Sequence, residues 1–194
     1  MIRVGTQDIC ALAVLLAASW WPTLASAATS NIVKTPRVTA QLVAEHTAVI
    51  PGRGTAIALK LKHVSGWHTY WRNPGDSGLP TTIQWQLSEG VRVSEIQWPT
   101  PRRIPFGPFT NFGYEGEVWL ISDLQVPADY AARSLSVSAH AEWLVCSEKV
   151  CIPEKGEFRV TLPIASIAPL NRQAAAEFVR TRARHPVKAQ GWRF

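Results

Sequence analysis

Cysteine, methionine and charge are all scarce in this 194-residue sequence, and long apolar runs are almost absent. The single methionine is the initiator, which excludes a methionine-rich copper site. After residue 21, no apolar run approaches the roughly 20 residues that a membrane-spanning helix needs. Three cysteines are too few for a disulfide-dense scaffold. What remains, with 46% hydrophobic residues, is the composition of an ordinary globular domain.

The formal charge of +6 is concentrated at one end of the chain. Residues 28–167 contain 13 Lys and Arg residues against 12 Asp and Glu residues, so this part is nearly neutral. The excess follows residue 167, where a single acidic residue, Glu177, faces Arg172, Arg180, Arg182, Arg184, Lys188 and Arg193. A short basic tail is usually a solvated face or a linker, so we expect no nucleic-acid partner.

The first 27 residues have the pattern of a secretory signal peptide. Arg3 precedes the apolar run "ICALAVLLAASWW", and Pro22 and "ASA" follow it. Cleavage after Ala27 fits the small-x-small rule and removes Cys10. We therefore expect a soluble, exported protein with two remaining cysteines.

Apolar residues alternate with polar ones in most of the remaining chain, and this period of two is typical of half-buried strands. The clearest example is "SLSVSAHAEWLV", and similar segments are "RVTAQLVAEH", "TAIALKLKHV", "TIQWQL", "VRVSEIQW", "EVWLISD" and "EFRVTLP". Seven or more such strands separated by Pro- and Gly-rich turns predict an all-β sandwich. Only "PLNRQAAAEFVRTRARH" is typical of a helix, and Pro186 follows it. The predicted organisation is a signal peptide (1–27), one domain (28–167) and a basic helical tail (168–194).

Three features suggest other functions, and each has a simpler explanation. The segment "GDSGLP" resembles the serine-protease nucleophile loop, but too little chain precedes it for a protease of that order, so a turn is expected. The tryptophans lie mostly in strand-like segments, where they are expected to fill the core. His68 and His140 are the histidines that could join cysteines as metal ligands.

The remaining cysteines, Cys146 and Cys151, lie in "WLVCSEKVCIPEKG" with four residues between them. In an oxidising compartment a structural disulfide is the default for such a pair. Closing so short a loop stabilises a fold by only about 2 kcal/mol, which makes the pair a weak staple. A bond next to a turn is also accessible to other thiols, which favours exchange. From the residues alone, a staple, a metal-ligand pair and a redox pair all stay open.

Three motifs resemble one family. "GWHTYWRNPGDSGLPTTIQW", "FGYEGEVWL" and "AEWLVCSEKVCIPEKG", in this order, are similar to the N-terminal periplasmic domain of the thiol:disulfide interchange protein DsbD, and most of all to its relative ScsB, the suppressor of copper sensitivity protein. The resemblance covers roughly residues 35–165. It implies an immunoglobulin-like sandwich in the periplasm, without a cofactor or metal, and a protein-disulfide reductase activity.

The resemblance also assigns site residues. It makes Cys151 the nucleophile and Cys146 the resolving thiol, and it places a cap loop at "TNFGYEGE", with Phe112 shielding the disulfide and Tyr114 beside it. Acidic residues precede this Phe in the better-known family member. Thr110 and Asn111 stand there in this sequence. The nearest carboxylates that could manage protons at the disulfide in their place are those of Glu115 and Glu117.

The implied partners are a thioredoxin-like electron donor and oxidised periplasmic thiol proteins. Family members continue into membrane helices and a thioredoxin-like domain, which are not in this sequence, so residues 168–194 are either the end of the chain or the start of a missing domain. In the first case a separate protein must supply the electrons. The sequence does not decide whether copper tolerance is involved. The alternative functions are an exported copper- or zinc-binding module and a structural sandwich with an inert disulfide.

Overall fold

The structure, a computed structural model, describes residues 28–187 and consists of eleven strands and one helix. The strands are β1 Thr29–Lys34, β2 Val38–Ala44, β3 Gly54–His63, β4 His68–Gly75, β5 Thr82–Leu87, β6 Arg92–Val93, β7 Arg102–Phe106, β8 Phe109–Glu115, β9 Glu117–Gln125, β10 Ser134–Cys146 and β11 Cys151–Pro163. The helix is α1 Ala175–Ala183. The predicted signal peptide and residues 188–194 lie outside the described residues.

The strands form two sheets whose inner faces make one core. One sheet has the order β1-β2-β3-β9-β6, and the other has the order β11-β10-β4-β8-β7, with β5 pairing alongside β10. Alternation in β3 sends Ile57, Leu59 and Leu61 into the core, where they meet Val137 and Val160 of the opposite sheet. The predicted all-β sandwich with a short C-terminal helix is confirmed.

The helix covers the outer face of the five-stranded sheet. Phe178 is fully buried in a second apolar cluster with Ala56 and Ala58, and its ring meets Trp119 edge-on at a centroid distance of 5.5 Å. Arg182 donates to both carboxylate oxygens of Glu45. The outer face of the five-stranded sheet is therefore occupied by α1.

Two segments are much shorter than predicted, and β11 is longer, since it begins six residues before "EFRVTLP". The helix was expected over residues 169–185 but begins at Ala175, because the Asn171 side chain instead donates to the Ala44 carbonyl at 3.0 Å and ties the preceding turn to β2. The predicted strand "VRVSEIQW" pairs as a strand only at Arg92–Val93. Beyond it, Gln97 makes an isolated bridge to Ile121.

Candidate functional site

The hairpin of β10 and β11 holds the two cysteines directly opposite each other. Cys146 ends β10, Cys151 begins β11, and the two are cross-strand partners joined by a disulfide. The turn between them closes with Ser147 N donating to the Val150 carbonyl at 2.9 Å. The four residues between the cysteines form the turn of the hairpin, so that β11 pairs with β10 with Cys151 directly opposite Cys146. Residues directly opposite each other have side chains on the same face of the sheet.

The two sulfur-bearing residues differ in burial. Cys146 is 0% exposed, whereas Cys151 lies at the surface. The order in the chain explains the difference, since Cys146 follows the buried strand residues Trp143 and Val145, while Cys151 precedes Pro153 at the far side of the turn. Of the two cysteines, Cys151 is therefore the one that a thiol-bearing partner can approach, and Cys146 is shielded.

Strand β4 brings two further polar side chains to the disulfide. His68 is the cross-strand partner of Cys146, and Tyr70, two residues later, lies on the same face. The Tyr70 hydroxyl is 3.8 Å from Cys151 Sγ and 3.3 Å from His68 Nε2. The three groups form a continuous hydrogen-bonded row that ends at the exposed sulfur.

The segment "GDSGLP" positions Tyr70. Gly78 has φ +96° and lies so close to the Tyr70 ring that a Cβ at this position would fall 2.4 Å from it. Asp76 accepts a hydrogen bond from Thr110 N at 2.7 Å, and the Ser77 hydroxyl donates to the Asn111 side chain at 3.1 Å. The segment makes the expected turn, in which Gly75 and Gly78 have positive φ, and the turn packs against the Tyr70 ring.

Burial sets the ionisation of the groups around the disulfide. Desolvation lowers the pKa of His68, with the charge of Glu115 opposing this shift from the neighbouring strand. Desolvation also raises the pKa of Tyr70. At neutral pH the row thus consists of a neutral imidazole and a protonated phenol, so Tyr70 can donate a hydrogen bond to a thiolate at Cys151.

The predicted cap residues lie on β8, two strands from the cysteines. Glu115 is the cross-strand partner of His68, so the alternation of β8 directs Phe112 and Tyr114 to the opposite face of the sheet. Tyr114 is buried in the core and donates to the Pro99 carbonyl at 2.7 Å. Phe112 is half-buried and pairs with Arg103. The structure does not bring these residues onto the face of the disulfide, and the cap role stays a prediction.

Of Glu115 and Glu117, only Glu115 lies next to the row formed by His68, Tyr70 and Cys151. Glu115 is exposed and lies across from His68. Glu117 is on β9 in the other sheet, where it accepts from Trp119 Nε1 at 2.8 Å and pairs with Lys60 at 3.3 Å. Glu117 therefore has a structural partner of its own.

A metal centre has little support in the part of the chain that the structure describes. Between residues 28 and 187, no three His, Cys, Asp or Glu side chains are grouped so that they could hold an ion. His140 is six residues before Cys146 on β10, a distance of roughly 20 Å along a strand. It instead contacts Glu142 and Glu157, which raise its pKa. His140 cannot join the cysteines as a ligand.

The family model described as "Thiol:disulfide interchange protein DsbD, N-terminal" matches residues 39–163. The chain belongs to this family. The matched range includes the strands from β3 to β11 and nearly all of β2, and thus the DsbD-type cysteine hairpin and the Tyr70 strand, whereas β1 lies outside it. No curated protein matches the chain.

A solved structure shows the same fold. The N-terminal periplasmic domain of ScsB from Proteus mirabilis superposes with a TM-score of 0.62 at 22% identity, covering 84% of this chain and 62% of that one. The chain thus spans less than two thirds of that ScsB domain. A reduced DsbD N-terminal domain from Neisseria meningitidis is also similar, with 12% identity, a TM-score of 0.36 and coverage of 66% of this chain and 89% of the other.

The described residues contain no helix with the length and apolar character needed to cross a membrane.

Sequence reasoning missed Tyr70 as a site residue and His68 as its neighbour in a redox site. Both lie in "GWHTYWRNPG", which is part of the family motif but has no clear alternation, and Pro74 and Gly75 interrupt it. Tyr70 reaches a sulfur 81 positions away in the chain. The only available clue was that His68 and Tyr70 are two residues apart, which places them on one face if the segment is a strand.

Proposed function

We propose that this DsbD-type domain passes electrons from a thioredoxin-like donor to oxidised periplasmic proteins through Cys146 and Cys151. The observation that supports this most strongly is the asymmetry of the pair: an exposed Cys151 sulfur beside the Tyr70 hydroxyl is bonded to a fully buried Cys146. Exchange needs an accessible attacking thiol and a resolving thiol that third molecules cannot reach. A staple would need neither property.

Reduction of a partner begins with both cysteines as thiols. Cys151 loses its proton, and the thiolate attacks one sulfur of the partner's disulfide, while the other partner sulfur leaves as a thiolate. Cys146 then loses its proton and attacks Cys151 Sγ, which expels the second partner sulfur. Two electrons and two protons pass to the partner, and the Cys146–Cys151 disulfide forms again.

The donor restores the thiols by the reverse sequence. A donor thiolate attacks the exposed Cys151 sulfur, and Cys146 leaves and takes up a proton. The second donor thiol then attacks the donor's own sulfur in the mixed disulfide and releases Cys151. Every intermolecular bond in both directions is therefore made at Cys151.

Tyr70 has a defined place in both directions. Its hydroxyl donates a hydrogen bond to the Cys151 sulfur and stabilises the thiolate, which is the attacking group in one direction and the leaving group in the other. His68 Nε2–H donates to the Tyr70 oxygen and orients the hydroxyl toward the sulfur. His68 is therefore a positioning residue that acts through Tyr70.

A trapping experiment tests the roles of the two cysteines. In Cys146→Ala, the domain has no second thiol that could resolve a mixed disulfide at Cys151. The partner is a thioredoxin-fold protein whose own second cysteine is replaced by Ala and whose remaining cysteine is activated as a mixed disulfide with 5-thio-2-nitrobenzoate, so that the partner cannot resolve the bond either, and we expect the adduct to accumulate on a non-reducing gel. In Cys151→Ala, the remaining thiol is buried, and we expect little adduct. Equal trapping by both variants, or trapping only through Cys146, would overturn the assignment.

Periplasmic location belongs to the same proposal. Partner proteins keep their disulfides in an oxidising compartment, and residues 1–27 have the pattern of an export signal. Mass spectrometry of the protein purified from the periplasm should show a chain that begins at Ala28. A chain that retains residues 1–27 would contradict cleavage at this site.

A further inference from the structure

A groove of about 520 Å³ lies beside the disulfide on the outer face of the six-stranded sheet. Leu144 and Pro153 form its apolar floor, and Leu79 and Pro80 form one wall. Leu79 is 64% exposed, which is unusual for a large apolar side chain in a groove. The helix α1 lies on the other sheet, so it does not cover this face.

The strand register places the groove at a fixed distance from the reactive pair. Leu144 and Pro153 are cross-strand partners, and each is two residues from its cysteine. Glu142 and Lys155 are the next pair on the same face and line the far end. Rows two residues apart in a strand are separated by roughly 7 Å. The face therefore presents a sulfur, then an apolar depression, then a charged pair at regular intervals.

An extended segment of a partner has the same spacing. If its cysteine lies over the exposed Cys151 sulfur and the segment follows β10, the side chain two residues from that cysteine points to the same side and lies over Leu144 and Pro153. The groove lies on one side of the disulfide only, along β10 toward its beginning. For a given direction of the segment along β10, one flanking position in the partner can therefore occupy the groove, and the opposite direction brings the other flanking position there.

We propose that this groove binds an extended segment of the oxidised partner and selects an apolar side chain two residues from the partner's reacting cysteine. The proposal rests on the exchange function proposed above. The occupant is a polypeptide segment because Leu144 and Pro153 lie only two residues along their strands from the cysteines that such a partner must reach. Its apolar floor and exposed wall favour Leu-like side chains over polar ones.

Three short peptides test the proposal with the reduced wild-type domain. Each contains one cysteine blocked as a mixed disulfide with 5-thio-2-nitrobenzoate, and they carry Leu two residues before it, Leu two residues after it, or Ser at both places. Attack by Cys151 on the peptide sulfur releases the coloured thiolate, which is the better leaving group because of its low pKa. Cys146 then attacks Cys151 Sγ and releases the peptide thiol.

We expect at least one of the two Leu peptides to react about tenfold faster than the Ser peptide at low concentration, which is the size expected for burying most of a Leu side chain. Leu79→Ser should remove this preference. Val179→Ser is the matched control, because Val179 is 67% exposed on α1, away from the groove, and it should keep the preference.

A small symmetrical disulfide, 5,5′-dithiobis(2-nitrobenzoate), separates failure of this proposal from failure of the exchange function. It has no Leu side chain to place in the groove, so its rate should be the same in wild type, Leu79→Ser and Val179→Ser. If it reacts while all three peptides react equally, or while Leu79→Ser keeps the preference for Leu, the groove proposal is wrong and exchange stands. If reduced wild type reacts with none of the four probes, the exchange function itself fails.

Discussion

Removing the Tyr70 hydroxyl is expected to raise the pKa of the Cys151 thiol by about one unit. In Tyr70→Phe the ring stays packed against Gly78, but the hydrogen bond to the sulfur is lost. Hydrogen bonds to charged groups contribute about 1.5–3 kcal/mol, and the 3.8 Å distance to sulfur favours the lower end. One pKa unit corresponds to about 1.4 kcal/mol, so a shift near one unit follows.

The predicted rate effect changes sign with pH. Well below the pKa, about tenfold less thiolate is present in Tyr70→Phe, but a thiolate of higher pKa is about threefold more nucleophilic, so alkylation slows about threefold. Well above the pKa, both proteins are fully ionised, and the variant should react about threefold faster. The two pH–rate curves must therefore cross.

The assay is the rate of iodoacetamide alkylation against pH, measured in the Cys146→Ala background so that Cys151 alone titrates. Tyr130→Phe is the matched control, because its hydroxyl contacts Ser88 at 3.1 Å and lies at the far end of β10. It should leave the curve unchanged. An unchanged or lowered pKa in Tyr70→Phe would refute the role assigned to the hydroxyl.

Three further predictions concern the surroundings of the site. Burial lowers the pKa of His63 to about 4, so unfolding at lower pH takes up a proton. The free energy of unfolding should therefore fall by roughly 3 kcal/mol between pH 6.5 and 4. Urea titrations should show this fall, and His63→Gln should make the pH dependence smaller. Gly78→Ala should lower the melting temperature more than Gly66→Ala, since both replace a glycine with positive φ but only Gly78 contacts the Tyr70 ring. Equal losses of melting temperature would show that the Tyr70 ring moves aside at little cost. If Phe112 caps the disulfide, Phe112→Ala should speed alkylation of the reduced cysteines several-fold. The β8 register directs Phe112 to the opposite face of the sheet, and from it we expect an unchanged alkylation rate.

The sequence predicted the regular parts of the fold because their alternation is local. The strand "TIQWQL" coincides with β5, and "SLSVSAHAEWLV" differs from β10 by one residue. By contrast β4, β7 and β8 contain Pro or Gly and lack period two, so nothing local marks them as strands. Their pairing is decided by neighbours in the sheet and not by their own side chains.

The site was predictable only in part for the same reason. The different burial of Cys146 and Cys151 follows from their immediate neighbours in the chain, Trp143 and Val145 on one side and Pro153 on the other. The contact between Tyr70 and Cys151 joins distant positions, and it depends on Gly78 for its geometry. The placement of Phe112 depends on strand register, in which a shift of one residue moves a side chain to the other face.

The reduction potential of the Cys146–Cys151 pair tests the central claim most directly. The protein is equilibrated in buffers of reduced and oxidised glutathione, quenched with an alkylating agent, and analysed by mass spectrometry. An exchange pair should become reduced at a potential above about −300 mV, near the range of other thiol-exchange proteins, while the fold is retained. A disulfide that stays oxidised in every glutathione buffer, with a potential below about −300 mV, would contradict the account and identify the bond as a structural staple.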